Sequence, residues 1–600
     1  MIENSFLSDL EPKSDVAAEI GRRDFLRWVA VSAGGVVATQ LSGCGGGSSS
    51  SDTASASGAT LTEPAVLRSS NGLISLDLIA EYSAQKITLG MADNSNIYPS
   101  VKNTVNTSLR RYTGSYPAPT LRVKPGDTIQ IRLVNRLPPS PKDHSSLEFL
   151  NYQNSTNLHF HGLHVSPKKV TIGGQEVYGD YVVDAPEQGV LPGAERLHKI
   201  KIPLNHPPGI FWYHPHLHGS SGAQVSSGMF GAIIVEGTAD QMFNPQIATE
   251  RVIFVHKHNL TSEGRTDSLN DTSVPKPSGF LLNGVSQPTI VMRPGEVQIW
   301  HFINSSTFYN FQPVLDGHTM QVFARDGDPI PEGYRPLNSE SAAKFSSANW
   351  RNNIQEWPGT FASPGSRISL FVKASDTPGE YYLRSASSPW TTNVNIPAYE
   401  EIVARIQVQG APVQDAIPPA SNFKAHADFA PITAQELAAN GGQTRNLILG
   451  VFTLNNSRLP QPLPAGEEWA LPAGEGGILG NLVFGTGLNN TATEKVYPFQ
   501  SPTGSSIVSQ TVNLNAVEEW TITTSDGFPH PFHMHVNDMY VVKINGQDHP
   551  KPYWSDTIAI PPNGNITFRV RFKDYDGSFV WHCHVLEHED LGMMQLVTIV

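Results

Sequence analysis

Twelve of the 21 histidines in this chain fall into four short clusters. His159-Phe-His161-Gly-Leu-His164 and His214-Pro-His216-Leu-His218 lie in the first half. His530-Pro-Phe-His533-Met-His535 and His582-Cys583-His584, followed by His588 and Met593, lie near the C-terminus. A His-x-His step puts two imidazoles on the same face of a strand, one pleat apart, so that both can converge on a metal ion. A lone histidine is usually solvated or a satisfied core residue; four pairs in one chain leave little room for that reading. The fourth cluster narrows the metal. Cys583, His588 and Met593 offer thiolate, imidazole and thioether. One histidine from elsewhere completes a two-histidine, one-cysteine site with a weak axial methionine, a blue-copper electron-transfer geometry. Zinc does not need the thioether, and an iron–sulfur cluster needs more cysteines than Cys44 and Cys583.

Strands must carry these side chains. With 51 glycines and 46 prolines in 600 residues, the chain favours many short strands and turns over long helices. From residue 62 onward, β-rich runs alternate with Gly/Pro/Asn/Asp turns, as in all-β sandwiches. Two repeats divide this region. Leu121–Leu133 (LRVKPGDTIQIRL) matches Ile290–Phe302 (IVMRPGEVQIWHF) and, more weakly, Val512–Ile522 (VNLNAVEEWTI). Aligning Gly209, Gly379 and Gly577 sets His214 and His216 over Arg384 and Ala386, then over His582 and His584. Three related domains follow, at 62–240, 248–410 and 420–600, and the middle one has lost its ligands at this position. Units of that size suit β-sandwiches with long loops.

HFHGLH, WYHPHLHG, HPFHMH and HCHVLEHEDLGMM together resemble the four copper signatures of the multicopper oxidase family, the laccases and their relatives, in the family's order. The resemblance covers residues 62–600 and implies an all-β chain of three tandem cupredoxin-type Greek-key β-sandwich domains. It also implies four copper ions. The type 1 copper takes His530, Cys583 and His588 with Met593 axial. The type 2 copper takes His159 and His533. The type 3 pair takes His161, His214, His216, His535, His582 and His584. His164 and His218 are left for supporting or surface roles. By motif position, the acids that supply protons match Asp184, in VDAPEQG, and Glu589. One departure stands out: Val536-Asn537-Asp538 follows HPFHMH, where the family often has glycine. The implied reaction passes electrons singly from a donor to the type 1 copper and on to O2, which four electrons reduce to water. An axial methionine implies a modest potential.

A formal charge of −13 argues against nucleic acid or an anionic membrane surface as partner. The resemblance implies O2 and an electron donor as partners, phenols or aromatic amines first and Cu(I), Fe(II) or Mn(II) second. Ten methionines without a cluster argue against Cu(I). A scaffold relative would have lost ligands that are all present here. A copper nitrite reductase is shorter and lacks four clusters in one chain, and a copper carrier would not need the intact set. The insert-like stretches 337–360 and 455–495 could shape the donor site. A trinuclear site built within one chain needs no oligomer, so a monomer is expected. The N-terminus reads as an address. Arg22-Arg23 with Phe25-Leu26 precedes a short apolar run that ends in Leu41-Ser42-Gly43-Cys44, which resembles a bacterial lipoprotein box. Residues 1–44 are then a twin-arginine, lipoprotein-type signal and 45–61 a Gly/Ser-rich tether. The expected location is the periplasm or cell envelope, with a lipid anchor on Cys44.

Overall fold

The computed structural model describes residues 59–90, 102–140, 152–237, 247, 249–260, 276–277, 279–330, 361–386, 401–419, 426–460, 482–488, 495–499, 509–524 and 526–600. The signal, Cys44, most of the tether, the stretch 337–360 and the larger part of 455–495 lie outside the described residues.

Alternation in the sequence becomes alternation in space. Thr128–Asn135 (TIQIRLVN) buries Ile129, Ile131 and Leu133 and turns Thr128, Gln130 and Arg132 outward. Such strands pair into three successive sets. Residues 66–235 form a five-stranded and a six-stranded sheet. Residues 250–408 form a seven-stranded and a four-stranded sheet, with a separate two-stranded ribbon. Residues 444–599 form a six-stranded and a five-stranded sheet. Each set closes over its own apolar core, centred on Leu121 and Phe160, on Trp300 and Phe302, and on Trp520 and Trp581. These are three cupredoxin-type sandwiches in tandem. Both sequence repeats fold alike. The first gives a strand–turn–strand unit at Ala118–Val123/Thr128–Asn135, Thr289–Met292/Val297–Asn304 and Ser509–Val512/Val517–Thr524. The second gives a strand starting at its glycine, at Gly209–His214, Gly379–Ser385 and Gly577–Cys583.

Six elements carry or flank the histidine clusters: strands β1 (His159–His161), β2 (Gly209–His214), β3 (His530–Met534) and β4 (Gly577–Cys583), and helices α1 (Ser221–Ser227) and α2 (Leu586–Asp590). The two helices lock the first and third sandwiches together. The Ser220 side chain leaves the α1 N-terminus uncapped. Instead the Asp590 carboxylate of α2 accepts hydrogen bonds from the backbone N–H groups of Gly219 (2.8 Å), Ser221 (3.1 Å) and Gly222 (2.7 Å). A carboxylate there satisfies orphan donors and faces the positive end of the helix.

Candidate metal centre

Pairing register brings the clusters together. β2 runs antiparallel to β1 with His214 opposite His159. β3 runs antiparallel to β4 with His533 opposite His582 and Phe532 opposite Cys583. Directly opposed residues share a face of a sheet, and neighbours along a strand do not. His582 therefore turns towards the first sandwich, while Cys583 turns into the core of the third beside Phe532 and Met593. One strand thus serves two donor sets on its two sides.

On the first side, eight buried histidines meet between the outer sandwiches. Ligand atoms lie within 4.8 Å of one another in the sets His216/His535/His582, His161/His214/His584 and His159/His161/His533. Oxygen acceptors decide which ring nitrogen carries the proton. His159 Nδ1–H donates to Asp180 Oδ1 (2.8 Å), His533 Nδ1–H to the Asp556 carbonyl (2.8 Å) and His214 Nδ1–H to the Pro215 carbonyl (2.8 Å). His161 is reversed: its Nε2–H faces Asp556 Oδ1 (3.3 Å) and Thr557 Oγ1 (3.2 Å), which leaves Nδ1 as the lone pair. Glu589 lies against two rings at once, Oε1 3.4 Å from His216 Nδ1 and Oε2 3.1 Å from His582 Nδ1. The remaining nitrogens face one another: His216 Nε2 to His582 Nε2 at 3.0 Å, His535 Nε2 to His582 Nε2 at 3.3 Å, and His214 Nε2 to His161 Nδ1 at 3.4 Å. Burial, reinforced by neighbouring rings, holds His159, His161, His533, His535 and His584 well below the usual histidine range, His214 down to about 3 and His216 to about 4. Neutral lone pairs turned towards each other at hydrogen-bond distance repel unless a cation lies among them. His159 Nε2, His533 Nε2 and both nitrogens of His584 are likewise buried without a hydrogen-bond partner. The donor set fits metal ions that prefer imidazole.

On the other side of β4, Cys583 Sγ lies 3.5 Å from His530 Nδ1 and 3.8 Å from His588 Nδ1, and it accepts the Val585 N–H (3.4 Å). Met593 is fully buried in the same core, and its carbonyl accepts the Cys583 N–H (3.0 Å). The outer nitrogen of His530, Nε2, sits 2.9 and 3.0 Å from the two oxygens of Asp526. Burial works against charge on His530, yet Asp526 and Cys583 outweigh it and push the ring up to about 10. His588 is flanked by Phe484 and by the partly exposed Phe308. Imidazole, thiolate and thioether in one apolar pocket fit copper.

Among the expected acids, Glu589 meets the histidines. Asp184 does not: its carboxylate is held by Arg196 (2.5 Å), because Val182 and Val183 just before it pack against Phe499, Val580 and Met594. The carboxylate from this segment that meets the histidines is Asp180, four residues earlier. It is completely buried, accepts from His159 and from the Phe160 N–H, and burial pushes it up to about 8. His218 packs on Phe499, and His164 bridges the Val536 carbonyl and Asp574. Asp180, Asp526, Asp556 and Arg367 have no signature in the sequence. Arg367 comes from the middle sandwich: its Nη1 donates to Asp556 Oδ1 (2.7 Å), its Nε to the Ile210 carbonyl (3.2 Å) and its Nη2 to the Asp326 carbonyl (2.7 Å).

Three profiles described as "Multicopper oxidase" match residues 94–240, 254–335 and 486–600. The chain belongs to the multicopper oxidase family. It is accordingly a copper-dependent oxidoreductase with O2 as acceptor. Its relatives include "Iron transport multicopper oxidase FET5" of Saccharomyces cerevisiae, 23% identical over 529 residues that cover 80% of this chain and 74% of the relative. They also include "Laccase" of Bacillus subtilis, 23% identical over 540 residues that cover 82% and 90%. Among solved structures, a multicopper oxidase from Campylobacter jejuni, titled a metallo-oxidase, superposes with a TM-score of 0.62 at 21% identity, covering 90% of this chain and 95% of its own.

A multicopper oxidase keeps its sites by close packing, and Gly162, between His161 and Leu163, shows how tightly. Its φ of +83° is the left-handed region, and a Cβ there would lie 2.3 Å from Arg367 Nη2 and 2.5 Å from Asp556 Oδ2. Gly162→Ala is expected to combine a conformational cost of about 1–2 kcal/mol with displacement of that ion pair. Thermal unfolding of the variant should show a clearly lower midpoint and weaker copper retention; an unchanged midpoint would refute the clash.

Proposed function

We propose that this protein is a four-copper laccase-like oxidase that couples one-electron oxidation of phenols or aromatic amines to four-electron reduction of O2 to water. The proposal assigns His530, Cys583 and His588, with axial Met593, to the type 1 copper. It assigns His159 and His533 to type 2, and His161, His214, His216, His535, His582 and His584 to the type 3 pair. When bound, the coppers supply one-electron redox chemistry at the first site and a multi-electron centre for O2 at the others. The observation that carries the reading is β4: Cys583 on one face and His582 on the other leave the two donor sets joined by a few backbone bonds. Within the eight-histidine set, Glu589 lies beside the Nδ1 atoms of His216 and His582, accepts from the Ser221 hydroxyl at 3.0 Å and is the proton-holding group on that side. Asp180 has the same part on the His159 side.

Donor choice rests on the rim of the cysteine site. Phe308 beside His588 and Phe528, next to Asp526 in the loop before His530, are both 37% exposed and offer apolar faces to an aromatic ring. Asp526, held below the usual carboxylate range by His530 and backbone N–H groups against burial, is the acceptor for the proton a phenol or amine loses on oxidation. The same carboxylate favours a second reading, in which a cationic metal ion such as Fe(II) docks there. The twin-arginine and Cys44 signals support export to the periplasm or cell envelope with a lipid anchor, and a site complete within one chain supports a monomer. Copper-loaded protein is expected to show an intense blue band from Cys583 and donor-dependent O2 uptake, faster with a phenol than with Fe(II). Faster uptake with Fe(II) would select the metal-ion reading, and a blue band without O2 uptake from any donor would sink the oxidase.

A further inference from the structure

The loop after His535 departs from the family, and it lines a narrow polar cleft on the outer surface together with His164, Asp428, Trp554 and Lys573. Val536 has a φ of +54°, a conformation a β-branched residue rarely adopts, and its carbonyl accepts from His164 Nδ1. This turn directs Asn537 and Asp538 into the cleft. Asn537 is 4% exposed, yet neither Oδ1 nor Nδ2 has a hydrogen-bond partner. Buried amides are normally paired, so the cleft is built for something that donates and accepts in a very small space, which describes water. The other polar side chains of the cleft are engaged: Lys573 with Asp428 at 2.8 Å, His164 with Asp574 at 2.9 Å, and Arg571 with Glu436.

Inward from Asp538, polarity continues. Asp328 is 2% exposed with Oδ2 unpartnered, and of the charges around it that of Asp538 weighs most, followed by those of Asp556 and Asp326. Asp556 Oδ2 is also unpartnered, while its Oδ1 accepts from Thr557 Oγ1 (2.7 Å), and that hydroxyl lies 3.2 Å from both His161 Nε2 and His533 Nδ1. Asp328 and Asp556, each with an unpartnered buried oxygen, are thus close enough to Asp538 to feel its charge, and Asp556 reaches His161 on the other side.

We propose that the Val536–Asp538 loop forms a second proton inlet, in which Asp538 takes protons from water in the cleft and passes them to Asp328 for delivery to the His161 side of the O2 site. The inlet rests on the oxidase reading, because each O2 that takes up four electrons also needs four protons to leave as two waters. Burial raises Asp538 above the ordinary carboxylate range, while His164, Arg367 and Lys573 oppose the rise and Asp326 adds to it. With a pKa of about 6, Asp538 takes up and gives off a proton in the mildly acidic range and is ionised as pH rises above it.

The test uses copper-loaded Asp538→Asn, with Asp538→Glu as rescue. The asparagine variant is expected to keep copper content, the blue band and its bleaching by donor under argon, yet to turn over O2 at least about tenfold more slowly on the acidic side of the parent's inflection, where Asp538 carries its proton, with the gap closing at alkaline pH. It should also lose the pH inflection of the parent enzyme. In the resting enzyme, infrared spectroscopy should show a protonated-carboxyl band that titrates in the parent, is absent from Asp538→Asn and returns with Asp538→Glu. Parent-like turnover at every pH, or an unchanged infrared titration, overturns the inlet. Should Asp538→Asn lose its blue band, Asp328→Asn and Asn537→Leu carry the test: slowed turnover with the band intact supports the inlet, and parent-like turnover overturns it. A parent enzyme that consumes no O2 overturns the oxidase reading and the inlet with it.

Discussion

Cys583→Ser is expected to abolish the blue band and reduce donor-driven O2 uptake to the uncatalysed level, with one copper fewer per chain. A serine hydroxyl does not ionise at neutral pH and cannot replace a thiolate as a soft ligand. The fold should survive. Cys583 is fully buried, but the Val585 N–H that Sγ accepts can be accepted by Oγ, so the cost is that of a polar atom in an apolar pocket, about 1–3 kcal/mol. His582 and His584 point to the other side of the strand and keep their places in the eight-histidine set, so the variant should retain the ultraviolet feature of the paired coppers. Once chemically reduced, it should still consume O2 in a single turnover. Donor-driven turnover at the parent rate would show that electrons enter elsewhere, and simultaneous loss of all copper would show that the two sides of β4 are not independent. The separation follows from strand geometry alone, since residues one apart on a strand face opposite ways.

That alternation also explains why so much of the centre was legible in the sequence. His159/His161, His533/His535 and His582/Cys583/His584 declare both their chemistry and their sidedness in a spacing of two. The repeats at Gly209, Gly379 and Gly577 announce the duplicated strand. What escaped is whatever depends on tertiary contact. Asp184 matched a motif, yet the packing of Val182 and Val183 turns it to Arg196, and Asp180 takes the place beside His159. Asp526 reads as an ordinary loop carboxylate until the chain folds its oxygens onto His530. The middle sandwich shows no ligands at the repeated strand, where Arg384 and Ala386 stand in place of histidines. It supplies Arg367, whose partner Asp556 is 189 residues away, a separation that carries no local pattern.

Arg367 therefore gives the larger structural prediction. Its guanidinium is fully buried and ties the three sandwiches together, to Asp326 in the middle, Asp556 in the third and the Ile210 carbonyl in the first. Arg367→Met roughly keeps the volume but removes the cation, leaving Asp556 uncompensated 3.3 Å from His161. Breaking a buried pair from one side costs about 3–5 kcal/mol, far more than the same change at a surface pair. Burial already pushes Asp556 up to about 8 against the pull of Arg367, so removal of the cation raises it further. A carboxyl group whose folded pKa lies above its unfolded one adds stability at low pH and loses it as pH rises through the folded value. The Arg367→Met defect in denaturant unfolding should therefore grow above pH 8, where the parent's Asp556 ionises and the variant's does not, relative to pH 5. Adding Asp556→Asn should recover part of it, since the double change leaves no orphaned charge. A defect independent of pH, or one that Asp556→Asn deepens additively, would mean that Arg367 acts by packing alone. If the defect behaves as expected, the sandwich that lost its copper ligands has kept a positioning role at the centre, through the carboxylate that orients His161.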